Sequence, residues 1–219
     1  MKFKDTDINE LIESVANNFS LKVTSKGGSI FTELQAEDCW ATVDEMHFTN
    51  VIFNLLDNAF DYVESAIKYS KCKDPRSLKY AVLHLDASIE LFLKSRLVKE
   101  HWSLIFEDPD KASLQALESG DFVSVDLKSA LNRLERIANI RINQSLAKNI
   151  VSLRNYRNRI QHYAIKVNAD AIKSLLGFIY NFVIDFCQKE LNQDIKEFQK
   201  TFDEIKEELL AIQEFVTAR

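Results

Sequence analysis

Three polar side chains on one predicted helix have the types and spacing needed for proton transfer at a phosphate. Apolar residues recur at helical spacing over residues 143–165, and Arg157 occupies a position on that apolar stripe. Asn158 lies four residues before His162, so both are expected on one helix face, one turn apart. A guanidinium can bind a phosphate, an imidazole can transfer a proton near neutral pH, and an amide can orient either group.

An arginine within an apolar stripe needs an explanation of its own. Burying a guanidinium without a partner is costly, so Arg157 is expected either to have a partner or to open onto a cleft. Arg154 lies four residues before Asn158 and extends the same row of polar side chains.

The segment 136–169 is basic although the chain as a whole is acidic. It contains seven Lys or Arg residues and no Asp or Glu, whereas the formal net charge of the chain is −5. Such a concentration of positive charge around a candidate site indicates a phosphate-rich partner. The alternative is a solvated basic face without a partner. On the first interpretation, Arg154, Arg159 and Lys166 bind flanking phosphates of that partner.

Residues 157–162 have the form Arg-Asn-x-x-x-His, which resembles the signature of HEPN domains. The resemblance covers about residues 54–191. Residues 80–94 are similar to the second helix of that family, with its Glu-Leu-x-x-Lys element at Glu90 and Lys94. HEPN domains are helical modules, and many are metal-independent RNases that act as toxins or antiviral effectors. The resemblance therefore implies a helical RNase that forms a homodimer, in which two copies of the motif helix build one composite site.

The resemblance also implies a role for each motif residue. His162 would be the general acid or base, Arg157 would stabilise the charge at phosphorus, and Asn158 would orient them. Glu90 and Lys94 would support these three residues. RNA provides its own nucleophile, the 2′-hydroxyl, so neither a metal ion nor another cofactor is expected. The alternative is a catalytically inactive HEPN module that binds RNA or protein, and an antitoxin or regulatory partner would fit either case.

A second resemblance concerns residues 10–59, which are similar to the start of a histidine-kinase ATP-binding domain. In that family the Asn-Leu-Leu-Asp-Asn helix, here Asn54 to Asn58, holds magnesium and ATP phosphates. The glycine-rich loops that cradle the phosphates are missing, because no glycine occurs between Gly28 and Gly120. We therefore expect this segment to serve in packing rather than in nucleotide binding.

Composition favours few and long helices, since 46% of the residues are hydrophobic but only four are Gly and two are Pro. We expect a mainly α fold: a HEPN-like antiparallel helical bundle over residues 47–191, a small N-terminal α+β appendage over 1–46, and a C-terminal amphipathic helix over 192–219. The heptad pattern of that last helix fits packing on its own domain and pairing between subunits equally well.

Apolar spacing also locates the individual elements. Strands are predicted at residues 21–25, 29–34 and 40–43, and helices at residues 7–19, 47–71, 75–101, 126–139, 143–165 and 169–191. A loop with a short helical piece is predicted between residues 107 and 125.

The sequence contains no sign of secretion or membrane insertion. The polar N terminus is not a signal peptide, and the longest apolar run, 175–187, is interrupted by two polar residues and too short to span a bilayer. Cys39, Cys72 and Cys187 lack metal-ligand spacing and are expected to be reduced, buried thiols. These features predict a cytoplasmic protein.

Overall fold

A computed structural model shows a mainly helical protein, as predicted from the sequence. It describes residues 4–7, 9, 12–13, 16, 32, 40–43, 45–72, 74, 76–162, 168–191 and 199–217. Strand β1 (Lys4–Asp7) pairs antiparallel with β2 (Trp40–Val43), so that Lys4 lies opposite Val43. The strand predicted at residues 40–43 is therefore confirmed. The strands predicted at 21–25 and 29–34, and most of the helix predicted at 7–19, lie outside the described residues.

The helical body begins with two long helices. Their bounds and those of the shorter ones are α1 (Glu45–Ser70), α2 (Ser77–Glu100), α3 (Leu114–Ser119), α4 (Leu127–Arg136), α5 (Gln144–His162), α6 (Ala169–Phe186) and α7 (Gln199–Thr217). Two 3-10 turns, Trp102–Ile105 and Pro109–Lys111, follow α2, and one π-helical turn, Cys187–Leu191, extends α6. The helices predicted beyond residue 46 are thus confirmed. The last predicted residues of α5, 163–165, lie outside the described residues.

Short polar side chains determine where three of these helices begin. The Asp126 carboxylate accepts a hydrogen bond from the Ser129 N–H at 2.9 Å, ahead of α4. The Asn143 side chain does the same for the Ser145 N–H at 2.8 Å, ahead of α5. Each cap satisfies a backbone N–H that has no partner inside its own helix. Asn168 caps α6 in the same way, so the start of each helix follows from the local sequence.

Helix α2 is the centre of the fold, because it packs against α1, α4, α5 and α6. Its buried side chains are distributed around the helix rather than along one stripe. Phe60 of α1 packs edge-to-face on Phe92 of α2, with ring centroids 5.0 Å apart. Two ionisable residues of this central helix, Asp86 and Lys94, are also buried. A charged group at such a depth requires partners from a neighbouring helix.

The C-terminal helix α7 packs against α6 and α1 of the same chain. Phe202, Ile205 and Ile212 are buried in this contact, and the Phe202 ring lies 5.9 Å from that of Phe60. Gly177 of α6 faces this contact, and a Cβ there would lie 3.5 Å from Ile212 Cγ2, an ordinary van der Waals distance. Of the two arrangements considered for the heptad seam, the structure shows packing within one chain.

The cysteines differ from one another in exposure. Cys187 is buried, and burial raises the pKa of its thiol. Cys72 is exposed just after the end of α1, so the expectation of a buried thiol is wrong at this position. Cys39 lies outside the described residues. None of the helices within the described ranges has both the length and the hydropathy that a bilayer crossing requires.

Candidate functional site

Two arginines of α5, Arg154 and Arg157, face the protein interior and are held by carboxylates of α2. Ile150 and Leu153 anchor α5 in the core, and this directs Arg154 and Arg157 towards α2. Arg154 Nε lies 2.9 Å from Asp86 Oδ1, and Arg157 Nε lies 3.7 Å from Asp86 Oδ2. The expectation that Arg157 has a partner is thus confirmed, and the partner belongs to the same chain.

Glu90 connects this pair to Lys94, one turn further along α2. Its carboxylate accepts hydrogen bonds from Arg154 Nη2 and from Lys94 Nζ, both at 2.6 Å. Lys94 Nζ also donates to Ser124 Oγ at 2.8 Å. Glu90 and Lys94 are therefore part of an interhelical network rather than an exposed ion pair. We call Asp86, Glu90, Lys94, Arg154 and Arg157 the charged cluster. Three cations and two carboxylates give it a formal charge of +1.

Burial and hydrogen bonding act in opposite directions on the two carboxyl groups. Burial raises the pKa of Asp86, whose side chain is only 5% exposed, while the charges of Arg154 and Arg157 oppose that rise. Burial also acts to raise the pKa of Glu90, but the hydrogen bonds from Arg154 and Lys94 outweigh it and leave the pKa below its usual value. Both carboxylates face guanidinium groups at these distances and thereby fix the two arginine side chains.

Arg157 is the less tightly held of the two arginines. Its contact with Asp86 is longer than that of Arg154, and its side chain is 33% exposed compared with 22% for Arg154. Arg157 Nη1 donates a hydrogen bond to Asn158 Oδ1 at 2.9 Å. A guanidinium carries five N–H donors, and these two contacts leave several of them for a ligand.

His162 lies on a different face of α5 from Arg157. Five residues separate them, which corresponds to a rotation of about 140° around the helix. Asn158 and His162 lie one turn apart on α5, as their spacing predicted, and both are exposed. A single chain therefore directs Arg157 towards α2 and His162 away from it. Arg159 is also exposed, and its guanidinium carbon lies 5.8 Å from the Tyr156 ring centroid. Lys166 lies outside the described residues.

An open cleft of about 490 Å³ borders the charged cluster between α1, α2 and α5. Tyr62 of α1, His84 and Asp86 of α2, and Arg157 and Gln161 of α5 are among the side chains that line it. Burial lowers the pKa of His84. The cleft thus combines the Arg157 guanidinium, the carboxylates of Asp86 and Glu90, and two aromatic rings. The guanidinium is the group suited to a ligand phosphate, and the rings are suited to a base.

Sequence analysis missed Asp86, which is the central acceptor of the cluster. The signal was present, because Asp86, Glu90 and Lys94 follow one another at four-residue spacing and the residues around them, 81–93, are mostly apolar. The net charge of segment 136–169 taken alone also overstates the positive charge at the site, because two carboxylates of α2 pair with arginines of that segment. Within the described part of the chain, no group of three or more His, Cys, Asp and Glu side chains has the arrangement of a metal site.

Comparison with known proteins gives one short match. The chain is 52% identical over 62 residues, 28% of its length, to the Sensor protein RprX of Bacteroides fragilis. The match spans only 12% of that protein. No family model matches the chain, and no solved structure matches it. Because the match covers little more than a quarter of this chain, it does not show a family for it, and the resemblance to HEPN domains stays a prediction.

Proposed function

We propose that this protein is a HEPN-type endoribonuclease that cleaves RNA without a metal ion. The observation that carries the proposal is the placement of Arg157 at the edge of the cleft, within a charged cluster of formal charge +1. A guanidinium that is oriented by Asp86 and Asn158, and still retains free N–H donors, is suited to a phosphate. We place the activity in the cytoplasm, in a toxin or an antiviral effector.

The proposed reaction is transfer of the phosphoryl group to the adjacent 2′-hydroxyl. A base removes the 2′-hydroxyl proton, the 2′-oxygen forms a bond to phosphorus, and the bond from phosphorus to the 5′-oxygen breaks. The departing 5′-oxygen receives a proton from an acid, so the products are a 2′,3′-cyclic phosphate and a 5′-hydroxyl. His162 transfers protons in this scheme, and Arg157 stabilises the charge that develops on the phosphoryl oxygens. Asp86 and Glu90 keep the arginines in position.

The scheme requires a second copy of the chain. Because Arg157 and His162 are directed to different sides of α5, the proposed composite site combines Arg157 of one subunit with His162 of the other. Exposed Asn158 and Arg159 would then lie beside the RNA or at the contact between subunits. Light scattering at micromolar concentration is expected to detect a dimer. A protein that stays monomeric both alone and with RNA would contradict the composite site.

The second candidate function is a catalytically inactive HEPN module that binds RNA or protein. The outward position of His162 is the observation that favours it. Among the described residues, His162 is neither a hydrogen-bond or ion-pair partner of Arg157 nor part of the cleft lining. The two candidates differ in one result. A binding module retains RNA affinity when Arg157 is intact but releases no product.

RNA cleavage in the presence of EDTA, with mapping of the new ends, tests the proposal. His162→Ala should slow cleavage by about a hundred-fold to ten-thousand-fold, because it removes a proton-transfer group. Arg157→Ala should have an effect at least as large. Arg159→Ala is the matched control, because its guanidinium is exposed and pairs with no acidic residue of the described chain; it should mainly weaken binding and reduce the salt dependence.

A DNA strand of the same sequence completes the test, because it lacks the 2′-hydroxyl and should be bound but not cut. Loss of cleavage in EDTA would contradict the metal-independent reaction. Full activity of His162→Ala would contradict the assigned role of that histidine.

A further inference from the structure

A row of four aromatic rings follows the groove between the antiparallel helices α1 and α2. The ring of Tyr62 lies 5.5 Å from that of His84, His84 lies 5.4 Å from Tyr69, and Tyr69 lies 5.2 Å from Tyr80. The planes of His84 and Tyr69 are nearly parallel, at 18°. Rings that touch at these distances form one continuous surface, which we call the aromatic row.

The aromatic row is open to solvent at both ends. Tyr80 is 51% exposed and Tyr62 is 38% exposed, whereas His84 and Tyr69 are half-buried between them. The half-buried rings hold the outer ones in place. Burial disfavours the charged form of His84, so the row has the character of neutral π-surface rather than of a cationic patch. Large aromatic side chains that are held exposed to solvent in this way are typical of a surface that binds another flat, apolar group.

The aromatic row begins at the candidate site. Tyr62 and His84 belong both to the row and to the lining of the cleft that contains Arg157. Along α2, Tyr80 precedes Asp86 by six residues, a distance of about 9 Å along the helix axis. A phosphate bound at Arg157 would therefore lie at one end of the aromatic row. From there the row would extend away from the RNA bond that is cleaved.

We infer that the aromatic row is a stacking platform for unpaired bases of the RNA whose phosphate binds at Arg157. The inference rests on the proposed function and adds a substrate class to it, namely single-stranded or looped RNA. Every base has a π-face, so stacking on aromatic side chains tolerates any sequence and contributes about 1–3 kcal/mol per base. Bases within a duplex already stack on one another and are unavailable, so the platform discriminates against paired RNA.

Binding of labelled RNA in a His162→Ala background, which slows cleavage, tests the inference. Anisotropy should show that Tyr80→Ala and Tyr62→Ala each weaken the affinity for a single-stranded oligoribonucleotide by about five-fold to a hundred-fold. Tyr80→Phe should preserve affinity because it keeps the ring, whereas Tyr80→Leu should lose it. Phe178→Ala is the matched control, since Phe178 is 57% exposed on α6 and outside the row; it should bind as the parent does.

Crosslinking gives a second readout. RNA that carries 5-iodouridine should crosslink to Tyr62 or Tyr80, and excess single-stranded RNA should compete while duplex RNA should not. Unchanged affinity in both alanine variants would overturn the inference, and so would absence of any binding by the parent. If Tyr80→Ala instead dissociates a dimer and leaves RNA affinity unchanged, the row is a contact between copies of the chain and the inference is wrong.

These outcomes separate the inference from the proposed function. Tyrosine-dependent binding without cleavage by the unmodified chain would support the platform and contradict the ribonuclease. Cleavage of RNA by a chain whose tyrosine variants bind normally would support the ribonuclease and contradict the platform.

Discussion

Two interfaces of this protein each bury a carboxyl group, and they differ in the partners that surround it. In the charged cluster between α2 and α5, Asp86 lies between two guanidinium groups. In the contact of α7 with α1 and α6, which we call the tail interface, Glu208 is equally buried. As at Asp86, burial raises the pKa of Glu208, but here the groups that oppose the rise are the Ser70 hydroxyl and the charges of Lys71 and Lys173.

The difference indicates what each interface does. Paired charges at short range hold side chains in fixed directions, which a site for phosphate needs. The tail interface depends mainly on apolar residues such as Phe202, Ile205 and Ile212, and Thr201 Oγ1 of α7 adds a hydrogen bond to Glu64 Oε1 of α1 at 2.8 Å. One interface therefore orients guanidinium groups through paired charges, whereas the other attaches a helix mainly through apolar contact.

The largest expected effect is the loss of the shared carboxylate of the charged cluster. Asp86→Ala removes the common partner of Arg154 and Arg157 and should lower the free energy of unfolding by about 3–5 kcal/mol. Urea unfolding measures this change. Asp185→Ala is the control, because Asp185 is exposed on α6 and its contact with Lys189 is 3.8 Å long; little change is expected. Equal stability of the two variants would mean that the cluster is not held by charge.

An intermediate effect is expected at the tail interface. Ile212→Ala should destabilise the protein by about 2–3 kcal/mol, the lower part of the usual range, because the site is near the end of α7 and can partly collapse. Leu210→Ala, two residues earlier and 63% exposed, should cost little. Binding of RNA should be unaffected in both. If Ile212→Ala weakened RNA binding as strongly as Arg157→Ala, the assignment of different roles to the two interfaces would be wrong.

These two interfaces also show what the sequence could and could not predict. Apolar spacing located the helices, and the caps at Asp126 and Asn143 set the starts of two of them, because both signals are local. The same spacing could not decide where α7 packs, since a heptad seam fits either arrangement. The pairing of Arg154 with Asp86 was missed because it joins residues far apart in the sequence, which no local pattern reports.

The smallest expected effect concerns the buried carboxyl group of the tail interface. Because the folded state raises the pKa of Glu208, it binds a proton more tightly than the unfolded chain does. The resulting stability is fully present below the unfolded pKa, near 4.5, and is lost as the pH rises through the higher folded value. Glu208→Gln removes this dependence and should be more stable than the parent at neutral pH by about 1 kcal/mol or less.

Urea unfolding of the parent and Glu208→Gln between pH 4.5 and 7.5 measures the difference. The two curves should approach each other at the acidic end and separate towards neutral pH. Parallel curves would mean that Glu208 has the same proton affinity in the folded and unfolded states, and would contradict the prediction.

The distance in sequence between the two halves of the charged cluster has a consequence for biosynthesis. Glu90 precedes Arg154 by 64 residues. At about 5–20 residues per second, a ribosome adds these residues over several seconds, and in that time α2 has its carboxylates but not their arginine partners. The guanidinium groups cannot take their positions until α5 has emerged from the exit tunnel. A nascent chain of this protein therefore completes the charged cluster only after α5 has emerged, and not when α2 first folds.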